Sequence, residues 1–171
     1  ILLSVLTGAV FIYSAYTKVQ PIQPFEYTMV EFIHIPWFIA ALAARFFVGL
    51  EFGLGFLIAF HIYGKGKWVL NFALLTLIIF SIYLIFLWMN VGNNVNCGCF
   101  GDAIWMTPSA SLIKNGIILI IIYLIKKYNN GWNVSFLHKA TLTLLSVAVA
   151  LPFILYSIPS QEPSWLRKDR Y

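Results

Sequence analysis

The chain contains only two cysteines, and they lie one residue apart in a polar segment between two long apolar stretches. Cys97 and Cys99 flank Gly98 inside segment 93–102, which reads NNVNCGCFGD. Glycine permits a sharp bend of the backbone, so the two thiols can approach each other closely enough to form a disulfide. A ring this small is strained, and strained disulfides are the labile, oxidising kind. The spacing therefore indicates thiol–disulfide redox chemistry.

Two other uses of the cysteine pair stay open at this point. The first is a static disulfide or a pair of inert thiols, although a bridge across so short a loop would add under about 2 kcal/mol of stability. The second is a zinc site, which would need two further ligands. On the same side of the chain only His34 and Asp102 are obvious candidates for those ligands.

The composition excludes an ordinary water-soluble domain. Hydrophobic residues make up 61% of the 171 residues, charged residues make up 10%, and the mean hydropathy is +0.85. Globular chains are roughly half apolar and about a quarter charged. The net charge is +5, but the basic residues are scattered and form no stripe, so we expect no nucleic acid partner. Membrane lipid is the expected surrounding.

Apolar runs predict the secondary structure. Five of them lie at about 1–19, 37–63, 68–91, 109–125 and 138–158. A membrane-spanning helix needs about 20 apolar residues, so the runs predict an all-α membrane protein with five helices. The first run has no small-residue cleavage pattern at its end, and we interpret it as a retained helix. Thr107 and Pro108 predict a helix start, and Pro152 predicts a kink in the fifth helix.

Lysines in the short connections predict the orientation. The second and fourth connections hold Lys65, Lys67, Lys126, Lys127 and Lys139. The loop 92–108 holds no lysine or arginine. Because basic residues are retained on the cytoplasmic side, this loop should face the opposite side. In a bacterial inner membrane that side is the periplasm, where disulfides persist.

Two charged residues lie within the second apolar run. A charge facing lipid costs several kcal/mol, so Arg45 and Glu51 should point into the bundle. Their side chains diverge by about 120° around the helix, so their partners should lie on other helices. A structural ion pair and a role toward a quinone or a proton both stay open.

Lys18 is either an interfacial anchor or a functional cation, and with Lys114 it could lower a thiol pKa.

Glycines in the same run favour close packing of helices. Gly49 and Gly53 are four residues apart, with Gly55 beyond them. Small residues at this spacing let helix backbones approach each other. We expect them to serve packing within the bundle rather than dimerisation.

The cysteine segment also carries a resemblance to a known family. The string 92–101, followed by Thr107-Pro108 and Lys114-Asn115, resembles the MauE branch of the DoxX-like membrane proteins in Bacteroidetes-type bacteria. The first two helices agree with this family at Gly8, Phe11, Ser14, Lys18, Pro21, Phe25, Arg45, Gly49 and Gly53. The resemblance covers about residues 1–125. It implies a four-helix membrane bundle over 1–128 with a periplasmic cysteine loop at 92–108, and it leaves 129–171 as a fifth transmembrane helix with a short tail.

The resemblance also implies a role in periplasmic thiol–disulfide chemistry. DsbB-like and VKOR-like proteins have a similar size but relay electrons between two cysteine pairs, whereas this chain has one pair. Cys97 and Cys99 would therefore be the catalytic residues of an inner-membrane redox protein. Either they would exchange directly with both a periplasmic thiol or disulfide protein and a membrane quinone as cofactor, or a second cysteine pair would belong to another subunit. The alternative is a non-enzymatic accessory subunit of a larger membrane complex, with the cysteine loop as a docking element.

The predicted orientation can be tested by labelling. A membrane-impermeant thiol reagent applied to reduced cells should modify Cys97 and Cys99, because their loop is predicted to be periplasmic. The lysines of the second and fourth connections should be cytoplasmic. Modification that appears only after the inner membrane is permeabilised would reverse the assigned orientation.

Overall fold

The computed structural model describes residues 1–19, 22–63, 67–102, 104–129 and 137–155. Within these ranges the chain forms six helices and one short strand. They are α1 (Leu2–Val19), α2 (Gln23–Ile33), α3 (Trp37–Ala59), α4 (Trp68–Val91), β1 (Cys99–Asp102), α5 (Pro108–Tyr128) and α6 (Leu137–Leu155). The predicted all-α membrane class is confirmed.

Four of the helices can cross a membrane. Helices α1, α3, α4 and α5 are each long and apolar enough to do so. Helix α6 includes a shorter apolar part, Thr143–Leu155, with Pro152 inside the helix. The end of the predicted fifth run and the predicted tail lie outside the described residues. That α6 spans the membrane stays a prediction.

The connection after α1 contains a helix that the apolar runs did not predict. Helix α2 is only 11 residues long, has a proline in its first turn, and ends before His34, whose backbone is left-handed. A search for long apolar runs misses such a helix because Glu26 and Glu31 interrupt its apolar character. The consequence for the site is that α2 brings Glu26 against α3.

Helix α3 lies at the centre of the packing. It packs against α1 and α6, and α4 packs against α5. Further contacts of α1 with α5 and of α3 with α4 complete the bundle. The contacts of α3 use its glycines, as the sequence predicted. A Cβ on Gly49 would lie 2.6 Å from the carbonyl oxygen of Ala148 on α6. A Cβ on Gly55 would lie 2.9 Å from the carbonyl oxygen of Gly8 on α1.

The contact at Gly8 generates a stability prediction. A Cβ there would lie 2.5 Å from the carbonyl oxygen of Gly55, a clash that only a movement of the backbone could relieve. We expect Gly8→Ala to lower the free energy of unfolding by about 1–3 kcal/mol, the usual cost of overpacking. The measurement is thermal or denaturant unfolding in detergent.

Gly116→Ala is the matched control. Gly116 lies in α5, and a Cβ added to it would meet nothing within 4 Å. Because alanine has the higher helix propensity, this substitution should leave stability unchanged or raise it by up to about 1 kcal/mol. Equal losses in both variants would show that the α1–α3 contact is not tight.

Candidate functional site

The two cysteines form a tight turn around Gly98. The φ of Gly98 is +68°, a left-handed value that glycine adopts without strain. This bend directs the backbone N–H of Cys99 at the sulfur of Cys97, over 3.2 Å between N and Sγ. Both cysteines are free thiols. The glycine in the motif is therefore what brings the second cysteine back toward the first.

Hydrogen bonds hold the turn in place. The backbone N–H of Cys97 donates to the carbonyl oxygen of Met106 over 3.0 Å. The Oδ1 of Asn96 accepts from the backbone N–H groups of Gly98 and Met106, each over 3.3 Å. Asn96 thus joins the two ends of the loop, which explains a polar residue directly before the cysteines.

Helix α5 begins at the predicted residue and supplies two groups to the site. Thr107 is its N-cap, and the Thr107 side chain accepts from the backbone N–H of Ala110 over 3.3 Å. One turn into the helix, the Oγ of Ser111 lies 2.9 Å from the sulfur of Cys97. The Nζ of Lys114 lies 4.4 Å from the centre of the Phe100 ring.

These contacts make the two thiols unequal. The hydrogen bond from the Cys99 thiol, helped by the Ser111 hydroxyl, the Cys99 backbone N–H and the Lys114 charge, lowers the pKa of Cys97 to about 6 despite burial. The same thiol–thiol hydrogen bond, burial and the Cys97 charge raise the pKa of Cys99 well above its ordinary value, against the charges of Lys114 and Lys18. These contacts therefore favour the thiolate form of Cys97 and the protonated form of Cys99.

Both sulfur-bearing residues are buried. Cys97 is 0% exposed and Cys99 is 6% exposed. They pack in one apolar cluster with Leu84 and Leu87 of α4. This burial shields both side chains from solvent. For the labelling of orientation, Asn94→Cys is consequently a better target, since Asn94 is exposed in the same loop.

Lys18 and Glu51 form a buried ion pair beside the cysteine turn. The Lys18 Nζ lies 2.7 Å and 2.9 Å from the two carboxylate oxygens of Glu51, and it donates to the Oγ of Ser14 over 2.8 Å. Ser14 in turn lies 3.1 Å from the carbonyl oxygen of Cys99 and 3.3 Å from Glu51. Lys18 is 2% exposed, so the interfacial-anchor interpretation is wrong.

Arg45 belongs to a second buried ion pair. Its Nη1 donates to the Oε1 of Glu26 on α2 over 2.6 Å and to the carbonyl oxygen of Ala41 over 2.7 Å. The prediction that Arg45 and Glu51 find partners on other helices is confirmed. Glu26 was missed as a site residue. An acidic residue in the connection next to an intramembrane arginine was the signal that could have identified it.

A small cavity brings most of the predicted residues together. Its volume is about 20 Å³, which gives room for about one water molecule. The polar and sulfur-bearing residues that line it are Ser14, Lys18, Glu51, Cys99, Lys114 and Asn115. Arg45 and Glu26 do not line it. The cavity therefore joins the Cys99 side of the cysteine turn to the ion pair of α1 and α3.

A larger groove lies on the other side of the turn. Its volume is about 540 Å³. It is lined by α2 and by the cysteine loop, at Gln23, Pro24, Tyr27, Thr28, Phe32, Asn94, Val95, Asn96, Gly98 and Trp105. Its lining combines aromatic rings with carboxamide groups and small apolar side chains. Such a lining suits an uncharged ligand or a polypeptide segment.

No metal centre is assembled among the described side chains. Within them there is no group of three or more His, Cys, Asp or Glu residues that could hold an ion. The zinc alternative also required Asp102, whose side chain lies outside what the structure describes.

Most of the chain is similar to a known protein family. Residues 1–126 match the family described as methylamine utilisation protein MauE. The chain belongs to the MauE family. Protein TlpB of Flavobacterium psychrophilum is 30% identical over 164 residues, which cover 86% of this chain and 43% of that protein. The chain thus spans less than half the length of this relative. No solved structure matches the chain.

The hydrogen bond from Ser111 generates a prediction about thiol ionisation. Ser111→Ala removes a group that stabilises the Cys97 thiolate, so the pKa of Cys97 should rise from about 6 toward its ordinary value. The thiolate fraction at pH 7 should therefore fall. The measurement is the ultraviolet absorbance of the thiolate during a pH titration of the reduced protein in detergent.

Ser109→Ala is the control for this titration. Ser109 lies two residues earlier, and its hydroxyl is near Thr107 rather than a thiol. Its substitution should leave the pKa of Cys97 unchanged. An unchanged titration of Ser111→Ala would contradict the assigned role of Ser111.

Proposed function

We propose that this MauE-family chain is an inner-membrane thiol–disulfide redox protein whose Cys97–Cys99 pair exchanges with a periplasmic partner. The observation that carries the proposal is the inequality of the two thiols. Cys97 accepts three hydrogen bonds that favour its thiolate, whereas Cys99 is held as a thiol. A static pair would need no such asymmetry. A redox pair needs one sulfur that attacks and leaves readily, and a second that resolves.

The exchange follows from these roles. A partner thiolate attacks the sulfur of Cys97 in the Cys97–Cys99 disulfide, which forms a mixed disulfide and releases Cys99 as a thiolate that takes up a proton. The second partner thiolate then attacks the partner sulfur of the mixed disulfide and expels Cys97. Because the pKa of Cys97 is low, its thiolate is a good leaving group. The partner loses two electrons, and the cysteine pair gains them.

The reduced pair then needs an acceptor of two electrons, and we assign a membrane quinone to this role. The groove beside Gly98 supports the assignment, because Tyr27, Phe32 and Trp105 offer ring faces for stacking. Gln23 and Asn94 offer carboxamide N–H groups that can donate to carbonyl oxygens. A quinone bound there would supply the two-electron acceptor.

The periplasmic side of the cysteine loop is supported by contacts at the opposite end of the bundle. The Lys67 Nζ donates to the carbonyl oxygen of Lys126, and the Lys126 Nζ donates to the Oδ1 of Asn71 over 2.7 Å. Lys67 and Lys126, which border the two basic connections, therefore lie together at one end. The positive-inside rule assigns that end to the cytoplasm and the cysteine loop to the periplasm.

The accessory-subunit alternative also has support. Both cysteines are buried, and Asn96 ties the loop together, as expected for a rigid docking element. The redox state of the pair distinguishes the two functions. A pair that cycles between dithiol and disulfide supports the redox function, and a pair that never changes state supports the subunit.

Single substitutions test the two cysteine roles with oxidised glutathione as the probe. The wild-type dithiol should form its internal disulfide and release two glutathione molecules. Cys99→Ser should stop at a mixed disulfide between Cys97 and glutathione, because the resolving thiol is missing. Cys97→Ser should react more slowly, because burial still raises the pKa of Cys99 when the hydrogen bond and the charge of Cys97 are gone. Intact-protein mass spectrometry after acid quenching distinguishes these products.

In cells, Cys99→Ser should form a covalent complex with its partner, which a non-reducing gel would detect. Both variants should remain folded, since so small a disulfide ring contributes little stability. Lys114→Gln should slow the reaction without abolishing it, because a nearby cation only changes the thiolate fraction. Full partner oxidation by the Cys97→Ser/Cys99→Ser protein would refute the redox function.

A further inference from the structure

The Cys99 residue is largely removed from water. Cys99 is 6% exposed, and the hydrogen bond to Cys97, burial and the neighbouring Cys97 charge raise its pKa. Closing the Cys97–Cys99 disulfide nevertheless requires Cys99 to lose that proton, because the thiolate is the attacking form. Opening the disulfide requires the proton to return. A proton-accepting group must therefore lie within reach of Cys99.

The cavity beside Cys99 contains a carboxylate. Among the described residues that line it, Glu51 is the only acidic one. Ser14 holds Cys99 and Glu51 next to each other, since its hydroxyl lies 3.1 Å from the backbone carbonyl oxygen of Cys99 and 3.3 Å from the Oε2 of Glu51. The cavity also has room for about one water molecule at its volume of about 20 Å³. Cys99 and Glu51 thus border the same cavity, and one water molecule in it would link the thiol to the carboxylate for proton transfer.

We propose that Glu51 carries the proton of the Cys99 thiol each time the Cys97–Cys99 disulfide closes or opens. This inference rests on the proposed redox function and adds a proton path to it. It assigns a task to an intramembrane carboxylate that the exchange of sulfur atoms alone does not use.

The closing step balances in atoms and electrons. Cys97 is first joined to a thiol compound RSH as the mixed disulfide Cys97–S–S–R. The Cys99 thiol transfers its proton to the carboxylate of Glu51, and its sulfur attacks the sulfur of Cys97. The new S–S bond forms as the bond to R breaks, and RS⁻ leaves. The proton on Glu51 then passes to RS⁻, which gives RSH and restores the carboxylate. Opening is the reverse sequence.

Lys18 pairs with a negatively charged group both before and after this proton transfer. Its Nζ lies 2.7 Å from Glu51, and its charge also acts on the Cys99 thiol. Moving the proton exchanges a lysine–carboxylate pair for a lysine–thiolate pair. The number of buried charges does not change, so the large cost of creating an isolated buried ion is avoided.

The charges also determine that Cys97 reacts before Cys99. While Cys97 is a thiolate, its negative charge helps to hold the proton on Cys99. Once Cys97 is in the mixed disulfide, that negative charge is gone, and the cations of Lys18 on α1 and Lys114 on α5 remain around Glu51 and Cys99. Both cations favour the Cys99 thiolate. Deprotonation of Cys99 therefore follows, rather than precedes, the reaction of Cys97.

The test is the rate at which the mixed disulfide resolves. Full-length Glu51→Gln protein in detergent is reduced, mixed with oxidised glutathione, quenched with acid and analysed by intact-protein mass spectrometry. Glutamine keeps the size and hydrogen bonding of the side chain but accepts no proton. We expect the Cys97–glutathione adduct to form at the wild-type rate and to resolve about 10²-fold more slowly, a typical loss for a positioned acid or base. Glu51→Asp should recover part of the rate.

Glu26→Gln is the matched control. Glu26 is also a buried carboxylate with an ion-pair distance of 2.6 Å, but it pairs with Arg45 away from the cavity. Its substitution removes the negative charge from a buried ion pair in the same way, so any general destabilisation should appear in both variants. The Cys97–glutathione adduct of Glu26→Gln should resolve at the wild-type rate.

A double variant separates the proton-carrying role from a structural role. Lys18→Met/Glu51→Gln removes both charges, so no unpaired ion remains if Glu51→Gln alone fails to fold. Resolution that is slower in the folded double variant than in Lys18→Met alone supports the proposal. Wild-type resolution in the double variant, or in Glu51→Gln, overturns it while the redox function stands. If wild-type protein forms neither adduct nor internal disulfide, the proposed redox function fails and this inference fails with it.

Discussion

The arrangement of the site depends on the buried ion pair between Lys18 and Glu51. Charges at this depth are costly in lipid, so each side chain is held in the bundle by the other. The pair joins α1 to α3, and Ser14 extends it to the carbonyl oxygen of Cys99. The close contact at Gly8 lets α1 approach α3 near enough for this pair to form. The position of the cysteine turn is therefore coupled to the packing of two spanning helices.

Helix α3 contributes one residue to each of the two buried ion pairs, and these two side chains point in different directions. Glu51 turns toward α1 and the cysteine turn, and Arg45 turns toward α2 and Glu26. Their separation on the helix keeps the two ion pairs apart, so one lines the cavity beside Cys99 and the other does not. The second pair fixes α2, which forms one wall of the groove next to Gly98. One helix thus positions both faces of the cysteine turn.

The chemical difference between two identical side chains arises from their surroundings. Gly98 aims one backbone N–H at Cys97, and Ser111 adds a hydroxyl from α5, while Cys99 receives burial and the charge of its neighbour. Unequal pKa values of this kind suit the exchange proposed for the pair. This asymmetry is a property of the loop and of α5 together.

The sequence by itself determined the membrane class, the four long spans, the start of α5 at Thr107 and the need for Arg45 and Glu51 to find partners on other helices. Those features follow from local composition, capping chemistry and the cost of charge in lipid. Only the tertiary structure decided that Glu26 pairs with Arg45, that Ser111 contacts Cys97 and that Lys18 is buried. Ser14 and Cys99 are 85 residues apart in the chain. Contacts over such separations depend on how whole helices pack, which no local pattern encodes.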